Sequence, residues 1–274
     1  MRSRQNSTLC RPSIGRILQS CCLCERDCRV NRLAGEVGAC GCDGRAFAYW
    51  EEVLWGEEAG ITPSYALCFA GCNMQCVFCY AAESNSNPAA YRRVDPRALA
   101  ARVRACSTAL ASFSFIGGEP SVHLPTALQI MEGLPAALPI VWNSNFYFSE
   151  ICASFLAGKV NTYIADLHFG NNACAREIAG AANYLEVVGR NLHWAKQAGA
   201  LIIRHLVLPG HLDCCTRPAL SRLAAEFSDI PVHLMTNYLP PEMKRADRLA
   251  QTLSEAEIQA AKELLQRYGL RPIQ

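Results

Sequence analysis

The chain has no long apolar run and no excess of charge of either sign. Its longest hydrophobic stretch, "ALIIRHLVLPG" (200–210), is broken by Arg204 and His205 and is too short to cross a bilayer. Charged residues make up 18% of the sequence and nearly cancel, leaving a formal net charge of +2. That balance gives no reason to expect nucleic acid or an anionic membrane as a partner. There is no internal repeat and no low-complexity linker. No apolar signal segment follows Met1; the first residues are rich in Ser and Arg and read as a frayed tail. Cytoplasmic localisation is the expectation. What the chain does have is a 51% hydrophobic composition over 274 residues, enough for one or two sizeable cores, and sixteen cysteines.

The cysteines are clustered, at 21–42 and at 68–79. Disulfide frameworks suit short secreted chains, and this one is large and lacks a leader, so the clusters read as ligands for metal. Four segments follow from texture: a disordered tail (1–20), a cysteine-rich metal-binding segment (21–56), an α/β core (57–241) and a C-terminal helical extension (242–274). In the core, short β-rich runs alternate with helix-like stretches, the pattern of βαβ units and a parallel sheet. Strands are expected at 64–70, 112–117, 139–145, 161–167, 200–207 and 231–236. Helices are expected at 96–106, 124–133, 149–157, 174–198, 217–227 and 255–267. Asp95 followed by Pro96 marks the first helix start, and a Ser254/Glu257 capping box marks the last. Six such units make a partial (β/α)6 barrel or an open doubly wound sheet. Either one binds ligands at the carboxyl ends of its strands.

The informative residues fall at those ends. "FAGCNMQCVFCYA" (69–81) follows the first strand and places thiols at Cys72, Cys76 and Cys79. Three thiolates can hold a [4Fe–4S] cluster and leave one iron without a protein ligand, an open position suited to catalysis; a zinc loop is the alternative. "GGEP" (117–120) follows the second strand, "NSN" (143–145) ends the third, "DLH" (166–168) ends the fourth, and "RH" (204–205) lies in the fifth. The polar, glycine-free "YAAESNSNP" after Cys79 reads as a flexible lid.

The C-x3-C-x2-C spacing, with Phe78 before the last cysteine and GGEP after the next strand, resembles the radical S-adenosylmethionine (SAM) superfamily. "CxLCxRxCxVNRxxGExGxC" (21–40), "GCNxxCVFC" (71–79), "VWNSN" (141–145) and "IIRHLVLPGH" (202–211) resemble one branch, the homologues of pyruvate formate-lyase-activating enzyme whose substrate is largely unassigned. The resemblance covers about residues 21–240. It implies a partial radical SAM barrel and a [4Fe–4S] cluster on Cys72, Cys76 and Cys79 whose open iron is chelated by SAM. An electron donor such as flavodoxin or ferredoxin is implied too. Phe78 would pack near adenine. Gly117 and Gly118 would let backbone approach the methionine amino group, and Glu119 would accept from it. Asn143, Asp166, His168 and Arg204 fall where the family places polar groups around SAM, Arg204 being the best carboxylate partner. The expected reaction is reductive SAM cleavage to a carbon radical acting on a small molecule or peptide. The alternatives are activation of a glycyl-radical enzyme, or transfer of a 3-amino-3-carboxypropyl group to a soft acceptor. Glycyl-radical activases often carry "DLK" where this chain has Asp166-Leu167-His168, and there is no room for their ferredoxin-like insert.

Two further cysteine groups remain. Cys21, Cys24, Cys28 and Cys40 form C-x2-C-x3-C-x11-C, a closed four-ligand set for zinc or a second [4Fe–4S] cluster. Cys22 and Cys42 are alternates in register, and Arg26, Arg29 and Arg32 could offset thiolate charge. The site serves either as a structural clip or as an electron relay. Cys214-Cys215, beyond the fifth strand, could hold a thiophilic metal or metalloid substrate with Cys174 or Cys152.

Overall fold

The computed structural model describes residues 12–56, 58, 60–241 and 248–273. Its centre is a single open sheet. The strands are β1 (Phe47–Leu54), β2 (Ser64–Phe69), β3 (Arg92–Arg93), β4 (Ser112–Gly117), β5 (Ile140–Ser144), β6 (Thr162–Asp166), β7 (Ala200–Leu206), β8 (Pro231–Met235) and β9 (Arg271–Pro272). Their order is β3-β1-β2-β4-β5-β6-β7-β8-β9. From β2 to β9 every neighbour pair is parallel, whereas β1 runs antiparallel to β2 and to β3. The six expected strands are β2, β4, β5, β6, β7 and β8, and the sheet is the expected partial barrel, open at both edges. Strand β5 is buried along its whole length and β6 at its three central residues. Burial on both faces is why these segments read as apolar runs without alternation.

The helices are α1 (Ile14–Gln19), α2 (Ala82–Ser86), α3 (Pro96–Cys106), α4 (Leu124–Gly133), α5 (Glu150–Leu156), α6 (Asn172–Ala179), α7 (Tyr184–Ala198), α8 (Arg217–Glu226) and α9 (Glu255–Arg267). Helix α3 starts where Asp95 Oδ1 accepts from Arg97 N and Ala98 N at 2.9 and 3.1 Å, with Pro96 at the first position. It buries Leu99, Ala100 and Val103. Fully burying the Leu99 or the Val103 side chain is worth about 1.5–3 kcal/mol. The Ser254/Glu257 capping box opens α9 as expected.

Several expectations change. The stretch 174–198 is two helices, because Gly180 takes φ +61° and ends α6, with Gly180 N and Ala181 N bonding back to Arg176 O and Ala175 O at 3.0 Å. The tail 1–20 is not all tail: Ile17 and Leu18 of α1 are buried in the core, while residues 1–11 lie outside the described residues. The cysteine-rich segment does not reach residue 56 as a separate unit, since β1 belongs to the main sheet. The C-terminal part is more than a helical appendage, because β9 extends that sheet beside β8. The "YAAESNSNP" stretch carries α2, not a loose lid.

Candidate functional site

The loop between β2 and α2 is pinned from three sides. Gln75 N and Val77 N donate to Ala179 O and Ile178 O at the end of α6, at 3.0 and 2.9 Å. Asn73 Nδ2 donates to Tyr147 O at 2.8 Å, and Arg26 Nε donates to Asn73 O at 2.6 Å. Cys72, Cys76 and Cys79 are left half-buried. Their sulfurs receive N–H donors: Met74 N and Asn145 Nδ2 to Cys72 Sγ at 3.4 and 3.6 Å, and Asn85 Nδ2 to Cys79 Sγ at 3.4 Å. Burial pushes all three thiols above their ordinary range, with Glu119 adding to the shift at Cys72 and Cys79 adding to that at Cys76. Three such thiols become thiolates only against compensating positive charge. The set fits an iron–sulfur cluster, with N–H donors already aimed at sulfur.

One cavity of about 510 Å³ opens at the carboxyl ends of the strands, a volume within the usual range for small-ligand sites. Its lining includes Cys72, Cys76, Phe78, Cys79, Gly117, Gly118, Asn143, Asp166, His168 and Arg204. Of the positions that the sequence places at the cluster and around SAM, only Glu119 is missing from that lining.

Glu119 is fully buried and its carboxylate is already occupied. It accepts from Ser121 N at 3.0 Å, Ser144 Oγ at 2.8 Å and Asn145 N at 2.9 Å. The reading of Glu119 as an acceptor for the SAM amino group is thus corrected: the side chain joins the end of β4 to the end of β5. The glycines are also needed for a different contact. Gly118 N donates to Phe69 O at 2.7 Å and Glu119 N to Gly71 O at 3.0 Å, so the turn is zipped onto the cysteine loop. A Cβ on Gly117 would lie 2.2 Å from Phe69 N, and one on Gly118 2.2 Å from Gly71 O. Gly117 has φ +113°, open to glycine alone at low cost.

Arg204 also has a partner that the sequence did not reveal. Its Nε and Nη2 bind Glu58 Oε1 and Oε2 at 2.5 and 2.6 Å, and His233 Nδ1 lies 3.1 Å from Glu58 Oε1. The two-point fork assigned to a SAM carboxylate is taken by Glu58, so that reading is corrected. Burial raises Asp166 to about 6, Arg204 opposing the shift and Glu58 adding to it. His168 is held neutral by burial, pulled down to about 4. Its Nδ1 is buried with no hydrogen-bond partner, and its ring meets Phe78 edge-on at 5.7 Å. Phe78 also packs against Phe169 and Tyr238. An unpartnered polar atom in a cavity wall is what a bound ligand satisfies. Residues the sequence reading passed over include Asn73, Asn85 and Asn145, each beside a cluster cysteine. The asparagines of "GCN" and "NSN" were the available signal; Glu58, in "WGEEAG", offered none.

The N-terminal segment is docked on the same end of the sheet. Cys24 bridges to Phe148, and Ser149, the cap of α5, donates to Leu23 O and Cys22 O. Cys21, Cys24 and Cys40 are buried and Cys28 is half-buried. Their thiols lie close enough to raise one another: burial, with Cys40, Cys21 and Cys28 adding, lifts Cys24 to about 12. A Cβ on Gly38 would sit 3.0 Å from Cys28 Sγ and 3.8 Å from Cys40 Sγ. Of the three arginines, buried Arg32 offsets Cys21 and Cys40, and exposed Arg29 offsets Cys22. Arg29 also pairs with Asp27, while Arg26 reaches Asn73 O and Gly180 O instead, so its assignment to the N-terminal thiolate charge is corrected. Cys42 Sγ donates to Cys40 O at 3.4 Å and lies 3.6 Å from His123 Nε2.

Cys214 and Cys215 do not line the cavity. Cys214 Sγ lies 3.8 Å from Cys174 Sγ, as one of the two expected companions. Cys152 is fully buried on α5 among core residues, beside Glu119 and Cys24, and is excluded.

The model of the radical SAM superfamily matches residues 67–223, more than half of the chain. The chain belongs to the radical SAM superfamily. It is 32% identical to the uncharacterized protein MJ0674 of Methanocaldococcus jannaschii over 261 residues, covering 93% of this chain and 76% of that one. Among solved structures it is similar to Streptococcus suis SuiB bound to S-adenosylmethionine, with a TM-score of 0.52 and 14% identity, covering 73% of this chain and 47% of SuiB. It is also similar to a radical SAM methyltransferase from Sphaerobacter thermophilus, with a TM-score of 0.53 and 14% identity, covering 77% and 66% of the two chains. This radical SAM chain therefore spans about half of SuiB, and at these identities the likeness is one of fold. Radical SAM membership makes the protein an enzyme of the [4Fe–4S] and SAM class. Among the described residues no helix is long and apolar enough to cross a membrane.

Proposed function

We propose that this enzyme cleaves SAM reductively at a [4Fe–4S] cluster held by Cys72, Cys76 and Cys79, and directs the resulting carbon radical at a small molecule or peptide. The observation that carries this reading is the gathering of the three thiols, Gly117, Gly118, Asn143, Asp166 and His168 around one cavity. The cluster supplies one electron at an open iron; the chain's residues orient SAM and exclude water. Phe78 and His168 offer an aromatic wall for adenine, and the unpartnered Nδ1 of His168 offers the ligand a hydrogen bond. Asn143 and Asp166 suit the ribose hydroxyls. The substrate enters past Trp50, Tyr80 and Leu239, exposed apolar side chains on the cavity mouth. A flavodoxin or ferredoxin is the reductant class.

The location of Cys214 outside the cavity favours the common adenosyl cleavage over transfer to a soft acceptor held there. At the N-terminal cysteines we favour a second cluster over zinc, in a chain that already receives one.

The test is anaerobic reconstitution, reduction and incubation with SAM. The expected products are 5′-deoxyadenosine and methionine, absent when Cys72, Cys76 or Cys79 is replaced by Ala. A single-alanine variant cleaving SAM at the parent rate would overturn the assignment. So would release of 5′-methylthioadenosine for the choice of bond.

A further inference from the structure

Outside the cavity, the loops that follow β6 and β7 bring three soft ligand atoms together. Cys174 comes from the first turn of α6. His211 and Cys214 come from the π-helical turn Leu212–Thr216 and the residue before it. Thr216 N bonds to His211 O at 3.2 Å across that widened turn. Such turns recur at functional sites because they re-aim side chains.

The distances are those of a metal site. Cys174 Sγ and Cys214 Sγ are 3.8 Å apart, Cys214 Sγ and His211 Nδ1 are 3.5 Å apart, and all three atoms lie within 4.8 Å of one another. A tetrahedral zinc ion with Zn–S near 2.3 Å and Zn–N near 2.0–2.1 Å requires about 3.8 Å between sulfurs and about 3.5 Å between sulfur and nitrogen. A disulfide would use only the two sulfurs, at about 2.04 Å. Among the described residues this is the one cysteine, histidine or carboxylate group so tightly gathered.

The surroundings are built for it. Asn171 Oδ1 accepts from Cys174 N at 2.8 Å, while its Nδ2 donates to Cys174 Sγ at 3.2 Å and to Cys214 O at 2.6 Å. One amide thereby fixes both cysteine-bearing segments and donates to a ligand sulfur, the part played by outer groups in metal sites. The loops touch so closely that a Cβ on Gly170 would lie 2.3 Å from Cys215 O. Cys215 itself is buried, while Cys214 is exposed.

We propose that Cys174, His211 and Cys214 bind a zinc-class thiophilic cation. Two sulfurs and one imidazole leave the fourth position to an exchangeable ligand from solvent, a water or a thiol. The ion clamps together the two loops that lead into the cavity at His168 and Leu206.

The test uses the full chain with its iron–sulfur content reconstituted anaerobically, stripped of loosely held metal and equilibrated with Zn²⁺. The parent should hold one zinc ion more than Cys214→Ser and than Cys174→Ser, with unchanged iron content in each as the control for folding. His211→Ala should bind that zinc at least tenfold more weakly. Co²⁺ in place of Zn²⁺ should give thiolate charge-transfer and tetrahedral ligand-field bands in the parent alone. Equal zinc in parent and serine variants overturns the proposal. So does an intact mass showing Cys174 and Cys214 joined as a disulfide in the anaerobically prepared protein.

Discussion

Glu119→Ala deletes the acceptor shared by Ser121 N, Ser144 Oγ and Asn145 N, at 3.0, 2.8 and 2.9 Å. The site is fully buried, so each donor loses its partner without regaining bulk water. An orphaned buried donor costs about 1–3 kcal/mol. The three share one small void that a water can enter, so the losses do not add in full. A net loss of about 3–5 kcal/mol is expected, a large fraction of the roughly 5–15 kcal/mol that holds a domain folded. Glu119→Gln keeps one carbonyl oxygen but turns an NH₂ toward a donor that was an N–H partner. Its cost should be about 1–3 kcal/mol. Stability should therefore fall in the order parent, Gln, Ala, read by anaerobic denaturant unfolding of the cluster-loaded protein. SAM affinity, measured by titration in the fraction that stays folded, should fall because Asn145 and Ser144 shift. A Glu119→Ala protein as stable as the parent, yet with SAM binding weakened tenfold or more, refutes this reasoning. It would return Glu119 to direct contact with the ligand.

Glu58→Ala should destabilise the apo and loaded protein alike by about 1–3 kcal/mol, because it removes the two-point carboxylate partner of the half-buried Arg204; the double variant Glu58→Met/Arg204→Met should recover most of that loss in the same unfolding assay. Asp166 is raised by burial, so the folded chain binds its proton more tightly than the unfolded one. That contribution to stability is present below the ordinary value of 3.8 and lost as pH rises toward about 6. Asp166→Asn should flatten the slope in unfolding measured across that window, and an unchanged slope would disprove the shift. Metal analysis of a Cys72/Cys76/Cys79 triple-alanine variant should find about four irons per chain at the N-terminal cysteines; one zinc in their place would make that site a structural clip, and no metal would dissolve it.

The six parallel strands were legible because each is a short run rich in β-branched, aromatic or aliphatic residues set between helix-like stretches, and their carboxyl ends followed from that alternation. Strand β1 was not: "FAYWEEVL" pairs at the edge, half exposed, and its two glutamates resemble a loop. The two-residue strands β3 and β9 exist only through their partners. Within the site, residue identity was legible and side-chain direction was not. The GGEP motif was found, yet whether Glu119 faces the cavity or β5 depends on how those strands lie together. The pairing of Arg204 with Glu58 joins positions 146 residues apart, across no pattern the sequence contains.

Arg26 links the two cysteine sites. Its guanidinium spans from the N-terminal segment to Asn73 O, beside Cys72, and to Gly180 O, at the turn that steadies Gln75 and Val77. The three-cysteine loop is thus splinted by the N-terminal segment. If metal at the N-terminal thiols sets the shape of that segment, iron at Cys72, Cys76 and Cys79 should fall when Cys21, Cys24, Cys28 and Cys40 are changed to serine. The filling of one cysteine site would then govern the order in the other, through a single guanidinium.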